Sequence, residues 1–518
     1  MRESDLFGKL KTLRAAESGS IWPPIIGLFR SWSFAALLTP VLLGTAGCAS
    51  NPEPHPSPVR IPPGFSGDTL PAADSTAKDS TGWWEEFQDP ALDSLIRLTL
   101  GENFDLRGAW ARFRRSLAVA EQAESARFPQ LSATADASSA RRFLNLGIPQ
   151  APSTVTVEQY GLSLAAEYEV DLWGRLADLD EAASLEAVAS RRDAQALAMT
   201  LTARTAEAWY GLVTQRAQED LLQEQASTDS IYLKLVRLRF GSGLTSAVDV
   251  YQQDQQLKGT LAEIPRVKAR ILTLRNQLAV LTGRAPGEDF SVPESPELTL
   301  PPLPETGLPL EVLDRRPDVQ AAWLRLRAAD YRVAAAVKDR LPALRVSGSI
   351  GYNAGELASL FQEWVYSIAT SVAAPLIDGG RRRGAVEQKK AAVDAAVASL
   401  GTVLLTSLQE VEDALGQEGR QEEHIDGLRD QVRVSRRLLE ETRLRYREGL
   451  TDYLPVLNAL RAHHQLRRGL LAARHQRIVY RIQLYRALGG GWVGNLEPGR
   501  PEERDDGAAY RLSSKPGG

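Results

Sequence analysis

The sequence has almost no cysteine: one residue in 518, at position 48. A single thiol cannot close an internal disulfide, and it rules out metal centres built on several thiolates. Histidine is nearly as scarce, with five in all: His55, His424, His463, His464 and His475. The one adjacent pair is poorly placed to chelate, because neighbouring helical residues point in different directions. A basic excess is also missing. The formal net charge is −4 and the pI about 5.9, which argues against nucleic acid as a partner. No Walker-type loop, H-E-x-x-H or G-x-S-x-G run occurs. The many Glu and Arg read as solvated faces and interhelical pairs, so no enzyme, catalytic residue, metal or cofactor is expected. Long apolar runs are absent as well. The one continuous stretch, about Phe34 to Gly47, is too short for a membrane helix and suits a signal-peptide core preceded by Arg30.

What is present begins at that stretch. Residues 1–47 read as a signal peptide, and the part before Ser31 is longer than a signal needs, which sets the expectation that the true start lies after Met1. Ala46 and Gly47 before Cys48 match a lipobox, where cleavage leaves a lipid-modified cysteine. Thr45 stands where that motif usually has Leu, so a plain secretory signal is the alternative. Residues 48–82, rich in Pro, Ser and Asp, read as an extended tether. Residues 493–518 read as a disordered tail.

Between these segments the chain repeats itself once. RLRFGSGLTSAVDV from Arg237 answers to RLRYREGLTDYLPV from Arg443. RFPQLSATAD from Arg127 answers to RLPALRVSGS from Arg340, and Gly174-Arg175 to Gly380-Arg381. A duplicated chain folds as two similar halves, here 83–290 and 291–492.

Each half carries two segments of period-2 patterning. From Tyr160 the apolar set is Tyr160, Leu162, Leu164, Ala166, Tyr168, Val170 and Leu172, with Glu167, Glu169 and Asp171 on the other face. Leu131–Ala137, Leu344–Asn353 and Trp364–Val372 alternate similarly, and loops near 141–154 and 354–363 make two hairpins. One such strand alone would suit a soluble sandwich. All four reach the roughly 9–11 residues that cross a bilayer, several have aromatics near their ends, and small polar residues fill the second face, as in an outer-membrane barrel. Four strands cannot close a barrel, and open edges are not tolerated in lipid, so membranous strands demand an oligomer.

The remainder is helical. One helix is expected from Gly174 to about Arg239 and another from Arg381 to about Tyr446, each roughly 98 Å long at 1.5 Å per residue. Shorter helices (103–127 with 245–283, and 316–340 with 451–487) sum in pairs to the same length. Two short helices therefore stack end to end beside each long one, with joints forming a belt at mid-height. Alanines such as Ala182, Ala183, Ala391 and Ala392 let neighbours approach closely. A coiled-coil rod or scaffold is the alternative for these segments.

WWEEFQDPALDSLI from Trp83, YEVDLWGR from Tyr168, LDRRPDVQAA from Leu313, RYREGLTDYLPVLNALR from Arg445 and YRALGGGW ending at Trp492 together resemble one family. It is the TolC-like outer-membrane factors, in particular the lipoprotein OprM/NodT branch. The resemblance implies an all-α plus transmembrane β fold: a trimeric 12-stranded β-barrel, four strands per chain, continuous with a long periplasmic α-helical barrel. It implies a passive exit duct of a tripartite efflux system for small molecules, sitting in the cell outer membrane as a lipid-anchored homotrimer. An inner-membrane RND-type pump and a periplasmic adaptor (membrane fusion) protein would be its partners. A type I protein-secretion duct is the alternative within the family.

The same resemblance assigns roles to residues. The turns holding Gly241, Gly243 and Thr245, and Gly449 and Thr451, become periplasmic tips that touch the adaptor, besides reversing the chain. Tyr446, Leu454, Asn458 and Arg461 fall on the family's gate pattern. Asn458 replaces a common carboxylate, which points to closure by Leu454 and hydrogen bonds. Leu454, Asn458 and Arg461, spaced four and three apart, share a helical face. Glu167, Glu169 and Asp171 would line the lumen and favour cations, or serve only to solvate it.

Overall fold

The computed structural model describes residues 55, 57–65, 82–145, 152–287, 300–301, 303–304, 309–489 and 491–496. Cys48, the signal segment and most of the tether and tail lie outside the described residues.

The four patterned segments form one antiparallel sheet in the order β1-β2-β3-β4. The strands are β1 (Gln130–Asn145), β2 (Pro152–Val170), β3 (Ala343–Ala354) and β4 (Trp364–Ala373). Registered neighbours fall on one face. Leu162 pairs with Tyr352, which pairs with Trp364, and Leu164, Ile350 and Tyr366 make the next row. Ala166, Gly348 and Ile368 follow. The β4 side chains of these rows are open in one protomer, with Ile368 74% exposed and Trp364 60%, while Tyr352 is half-buried against Phe361. The opposite face is hydroxylated, with Thr134 and Ser163 hydroxyls 2.7 Å apart and those of Ser349 and Ser367 2.8 Å apart. Strands β1 and β4 are the two edges, and neither edge has a partner among the described residues.

The first hairpin is longer than its pattern suggests. A loop was expected over 141–154, but β1 runs to Asn145 and β2 starts at Pro152, giving strands of 16 and 19 residues. Arg141, Arg142, Glu158 and Gln159 interrupt the apolar alternation without interrupting the backbone ladder.

Helix α1 spans Pro90–Glu102 and α2 Phe104–Ser125. Helix α3 (Arg175–Gly241) and α4 (Ala247–Leu281) complete the first half. In the second, α5 (Pro309–Arg315), α6 (Pro317–Lys338), α7 (Arg381–Arg447) and α8 (Tyr453–Leu488) follow. The long helices α3 and α7 have 67 residues each, or about 100 Å at the standard rise.

Both long helices start by one device. The Asp171 carboxylate accepts from the backbone N–H groups of Leu176 (3.1 Å) and Ala177 (2.8 Å). Asp378 does the same for Gly380 (3.0 Å) and Arg382 (3.2 Å). A carboxylate here satisfies orphan donors and meets the positive helix end. The joints repeat too. Asn103, the N-cap of α2, donates to Leu281 O at the end of α4 at 2.9 Å. Arg316, the N-cap of α6, donates to Ala487 O near the end of α8 at 2.9 Å. Short helices thus meet end to end, α2 and α4 along α3, α6 and α8 along α7, and α6 and α8 also pack on α3.

The joint region is the main core. Trp83 stacks on Tyr485 with centroids 5.4 Å apart, and Trp84 meets Trp492 edge-on at 4.8 Å. Trp209 Nε1 donates to Asp89 at 2.8 Å, and Asp89 also caps α1. Helix α1, unforeseen from the pattern, buries Leu92, Leu95 and Ile96 here.

Two expectations about extended segments need correction. Residues 57–65 include packed positions: Val59 and Ile61 are half-buried against an apolar cluster built by α6 and α7, and Phe65 is buried in a cluster with Val312, Val411 and Ala487. Val493, placed in the tail, is buried, and its carbonyl accepts from Gln195 Nε2 at 2.8 Å.

Candidate functional site

The two turns joining α3 to α4 and α7 to α8 close identically. Gly243 N–H bonds Phe240 O (2.9 Å) and Leu244 N–H bonds Arg239 O (2.8 Å). In the second turn, Gly449 N–H bonds Tyr446 O (3.2 Å) and Leu450 N–H bonds Arg445 O (2.9 Å). This paired pattern needs a left-handed residue, supplied by Gly243 (φ 70°) and Gly449 (φ 74°). Gly241 does not contribute to the reversal as expected, because it is the last residue of α3. Thr245 Oγ1 donates to Asp249 at 2.7 Å, and Ser246 and Asp249 form a capping box that starts α4. Thr451 is half-buried, while Leu244 and Leu450 stand 65% and 71% exposed.

The four gate candidates separate. Leu454 and Asn458 are exposed on the first turns of α8, and Arg461 is half-buried on the same face. Tyr446 lies elsewhere, buried in a cluster with Tyr232, Val236 and Tyr453. The Arg239 guanidinium covers its ring at 4.4 Å and donates to its carbonyl at 3.1 Å. Burial of an aromatic between helices leaves no signal at the level of residue type, so the pattern could not separate Tyr446 from the other three.

Behind Arg461 lies a polar interior that the sequence did not reveal. Asp229, on α3, is 0% exposed. Thr260 Oγ1 donates to its carboxylate at 2.7 Å and Gln256 Nε2 approaches at 3.4 Å. Arg461 Nε donates to Gln256 Oε1 at 2.9 Å. Gln253 Nε2 bonds Asp229 O at 2.8 Å, and Tyr453 OH donates to Gln253 Oε1 at 2.6 Å. His464 Nδ1 faces the second Asp229 oxygen at 3.8 Å, and neither atom has a hydrogen-bond partner. Burial pushes the His464 imidazole down to about 4, with Arg468 and His463 adding to it, so it is neutral at ordinary pH. Burial raises the Asp229 carboxyl, opposed by the hydrogen bonds from Thr260, Gln256 and Gln253.

At the sheet–helix junction the three acidic candidates also part. Asp171 lies past the end of β2, half-buried, and its carboxylate caps α3. Glu169 accepts from Arg175 at 2.6 Å and faces Arg345 at 3.5 Å. Glu167 alone is exposed on the hydroxylated face, between Gln130 and Ser347. Among the described residues no group of three or more His, Cys, Asp and Glu side chains could hold a metal ion.

The sequence profile of the outer membrane efflux protein family matches residues 95–284 and 308–490. The pyoverdine export outer membrane protein OpmQ of Pseudomonas aeruginosa is 29% identical over 469 residues, covering 88% of this chain and 96% of the relative. The toluene efflux pump outer membrane protein TtgC of Pseudomonas putida is 29% identical over 466 residues, covering 88% and 94%. The solved outer-membrane channel OprN superposes with a TM-score of 0.78 at 29% identity, covering 85% of this chain and 99% of that one.

Proposed function

This chain belongs to the outer membrane efflux protein family and is an outer-membrane efflux channel subunit, and we propose that it is the passive exit duct of a tripartite pump for small molecules. The observation that carries the reading is a sheet with one apolar face and two open edges, joined directly to two 67-residue helices. Channels of this fold are trimers. Three copies of the sheet close a twelve-stranded barrel with its apolar face to lipid, and the helices continue the wall into the periplasm. An inner-membrane RND-type pump supplies the energy, and a periplasmic adaptor seats on the two turns. Relatives named for pyoverdine and toluene support small, chemically varied cargo. Cys48 is the proposed acylation site.

The deciding experiment is purification in detergent, then mass determination and planar-bilayer conductance on one sample. A trimer with small, mostly closed currents supports the duct, and its intact mass reads the acyl chains on Cys48. A water-soluble, non-conducting species overturns it.

Leu454 is the proposed apolar ring of the closed tip, with Asn458 and Arg461 hydrogen-bonding beside it. Leu454→Ala removes most of the ring's bulk, so the conductance of Leu454→Ala channels is expected to rise several-fold. Wild-type conductance in that variant would sink the assignment.

With Asp171 and Glu169 engaged, Glu167 is the proposed lumenal charge, three copies around the barrel. A potassium chloride gradient should give a cation-favouring reversal potential that shrinks in Glu167→Gln. A potential of zero in the native trimer would show that Glu167 only solvates the wall.

A further inference from the structure

The polar interior around Asp229 bridges three helices that otherwise meet unevenly: α3 packs on both α4 and α8, whereas α4 and α8 have little direct contact. Two hydrogen-bonded chains cross that gap, and both begin at Asp229. One leaves its carboxylate through Thr260 and Gln256 on α4 and ends on Arg461 of α8. The other leaves its carbonyl through Gln253 on α4 and ends on Tyr453 of α8. A third link runs straight from α3 to α8: Gln225 donates to His464 O at 3.1 Å and accepts from Arg468 at 2.7 Å. Apolar packing by Val236, Val456, Leu457 and Leu460 shields the set on the side of the turns.

A buried carboxylate is costly unless hydrogen bonds hold it, and this one keeps one oxygen unpartnered beside His464. Simple packing between helices needs no such group. Its effect is directional: Gln256 is fixed at its amide end by Asp229 and Thr260, which aims its carbonyl oxygen at Arg461. We infer that Asp229 is the anchor of a brace that positions Arg461 for closure, by way of Gln256, so that α4 and α8 stay together while the tip is shut. The inference rests on the gate assigned to Leu454, Asn458 and Arg461. In it Asp229, Gln256 and Thr260 are positioning residues that never touch cargo.

The test is bilayer conductance of the full-length trimer, with trimer retention read on native gels for every variant. Arg461→Ala sets the scale by removing the positioned group. Gln256→Leu cuts the chain in the middle. It is expected to raise the open fraction at least tenfold, since each protomer loses one hydrogen bond to a charged group. Asp229→Asn should act in the same direction. The double variant D229N/Q256E exchanges amide and carboxylate while keeping an acceptor towards Arg461, so it should close again, which a merely space-filling role would not produce. Thr260→Val, which changes only a hydroxyl, replaces either single variant that fails to trimerise and should also open the channel. Arg461→Ala that opens while Gln256→Leu and Asp229→Asn stay closed overturns the brace and leaves the gate. Arg461→Ala with native conductance overturns the gate itself, and the brace with it.

Discussion

Ile368→Arg is expected to abolish the membrane-inserted trimer, while Ser367→Arg, one residue away, is expected to leave it assembled. Ile368 is central in β4, opposite Gly348, with its side chain 74% exposed on the apolar face. An arginine facing hydrocarbon near mid-bilayer costs about 2–4 kcal/mol. A trimer carries three copies, so the penalty is about 6–12 kcal/mol for the assembly, comparable with the whole stability of a typical domain. Ser367 points to the opposite face, paired with Ser349. An arginine there meets water, and its effect should appear in conductance and ion preference. Unboiled gels of outer-membrane fractions separate the two outcomes, with Ile368→Ala as a control for lost packing. Assembly of Ile368→Arg at the native level would reverse the facing assigned to the sheet.

Which residues share a face of the sheet was legible in the sequence, because a residue's place in a strand is fixed by a period of two. The lengths of α3 and α7 were legible for a similar reason: glycine turns mark both ends, and nothing between them breaks a helix. The duplication located the turns twice over. What escaped the sequence falls into two kinds. Polar residues that serve the fold look like solvated ones, and nothing in residue type marks Asp171 and Asp378 as the caps of α3 and α7. Asp229, Gln253 and Gln256 resemble any polar residues on a helix until three helices close over them. The second kind is chain without regular period. Residues 57–65 have too few apolar positions to announce a packed strap, yet Val59 and Ile61 pack against one apolar cluster and Phe65 is buried in another. Tyr446 stands apart from both: its position beside the turn was clear and its burial was not.

A second large effect is expected at the mid-height core, from a single charge. Arg481 on α8 is 2% exposed and donates through Nε to both oxygens of Glu418 on α7, at 2.9 and 2.8 Å. It also donates to Pro301 O, so it ties the segment preceding α5 to both helices. Glu418 is 2% exposed as well, and Arg477, at 3.9 Å, is its next cation. Arg481→Leu would leave a buried carboxylate with poor compensation, at a cost of about 3–5 kcal/mol per protomer. The duplication shows what the alternative looks like. Glu418 stands 206 positions after Leu212, the offset that separates Gly174 from Gly380, and Leu212 is fully buried in apolar surroundings. The first half thus fills the matching site on its long helix without a charge. A pair of leucines at 418 and 481 should therefore recover most of the loss, since a buried ion pair replaced by apolar groups is often neutral. Thermal melts of the helical signal in detergent would read it, with a large drop for Arg481→Leu and a small one for the double variant R481L/E418L. Equal drops for the two would place the stabilisation in the Pro301 contact and the packing of the arginine stem, and not in the charge pair.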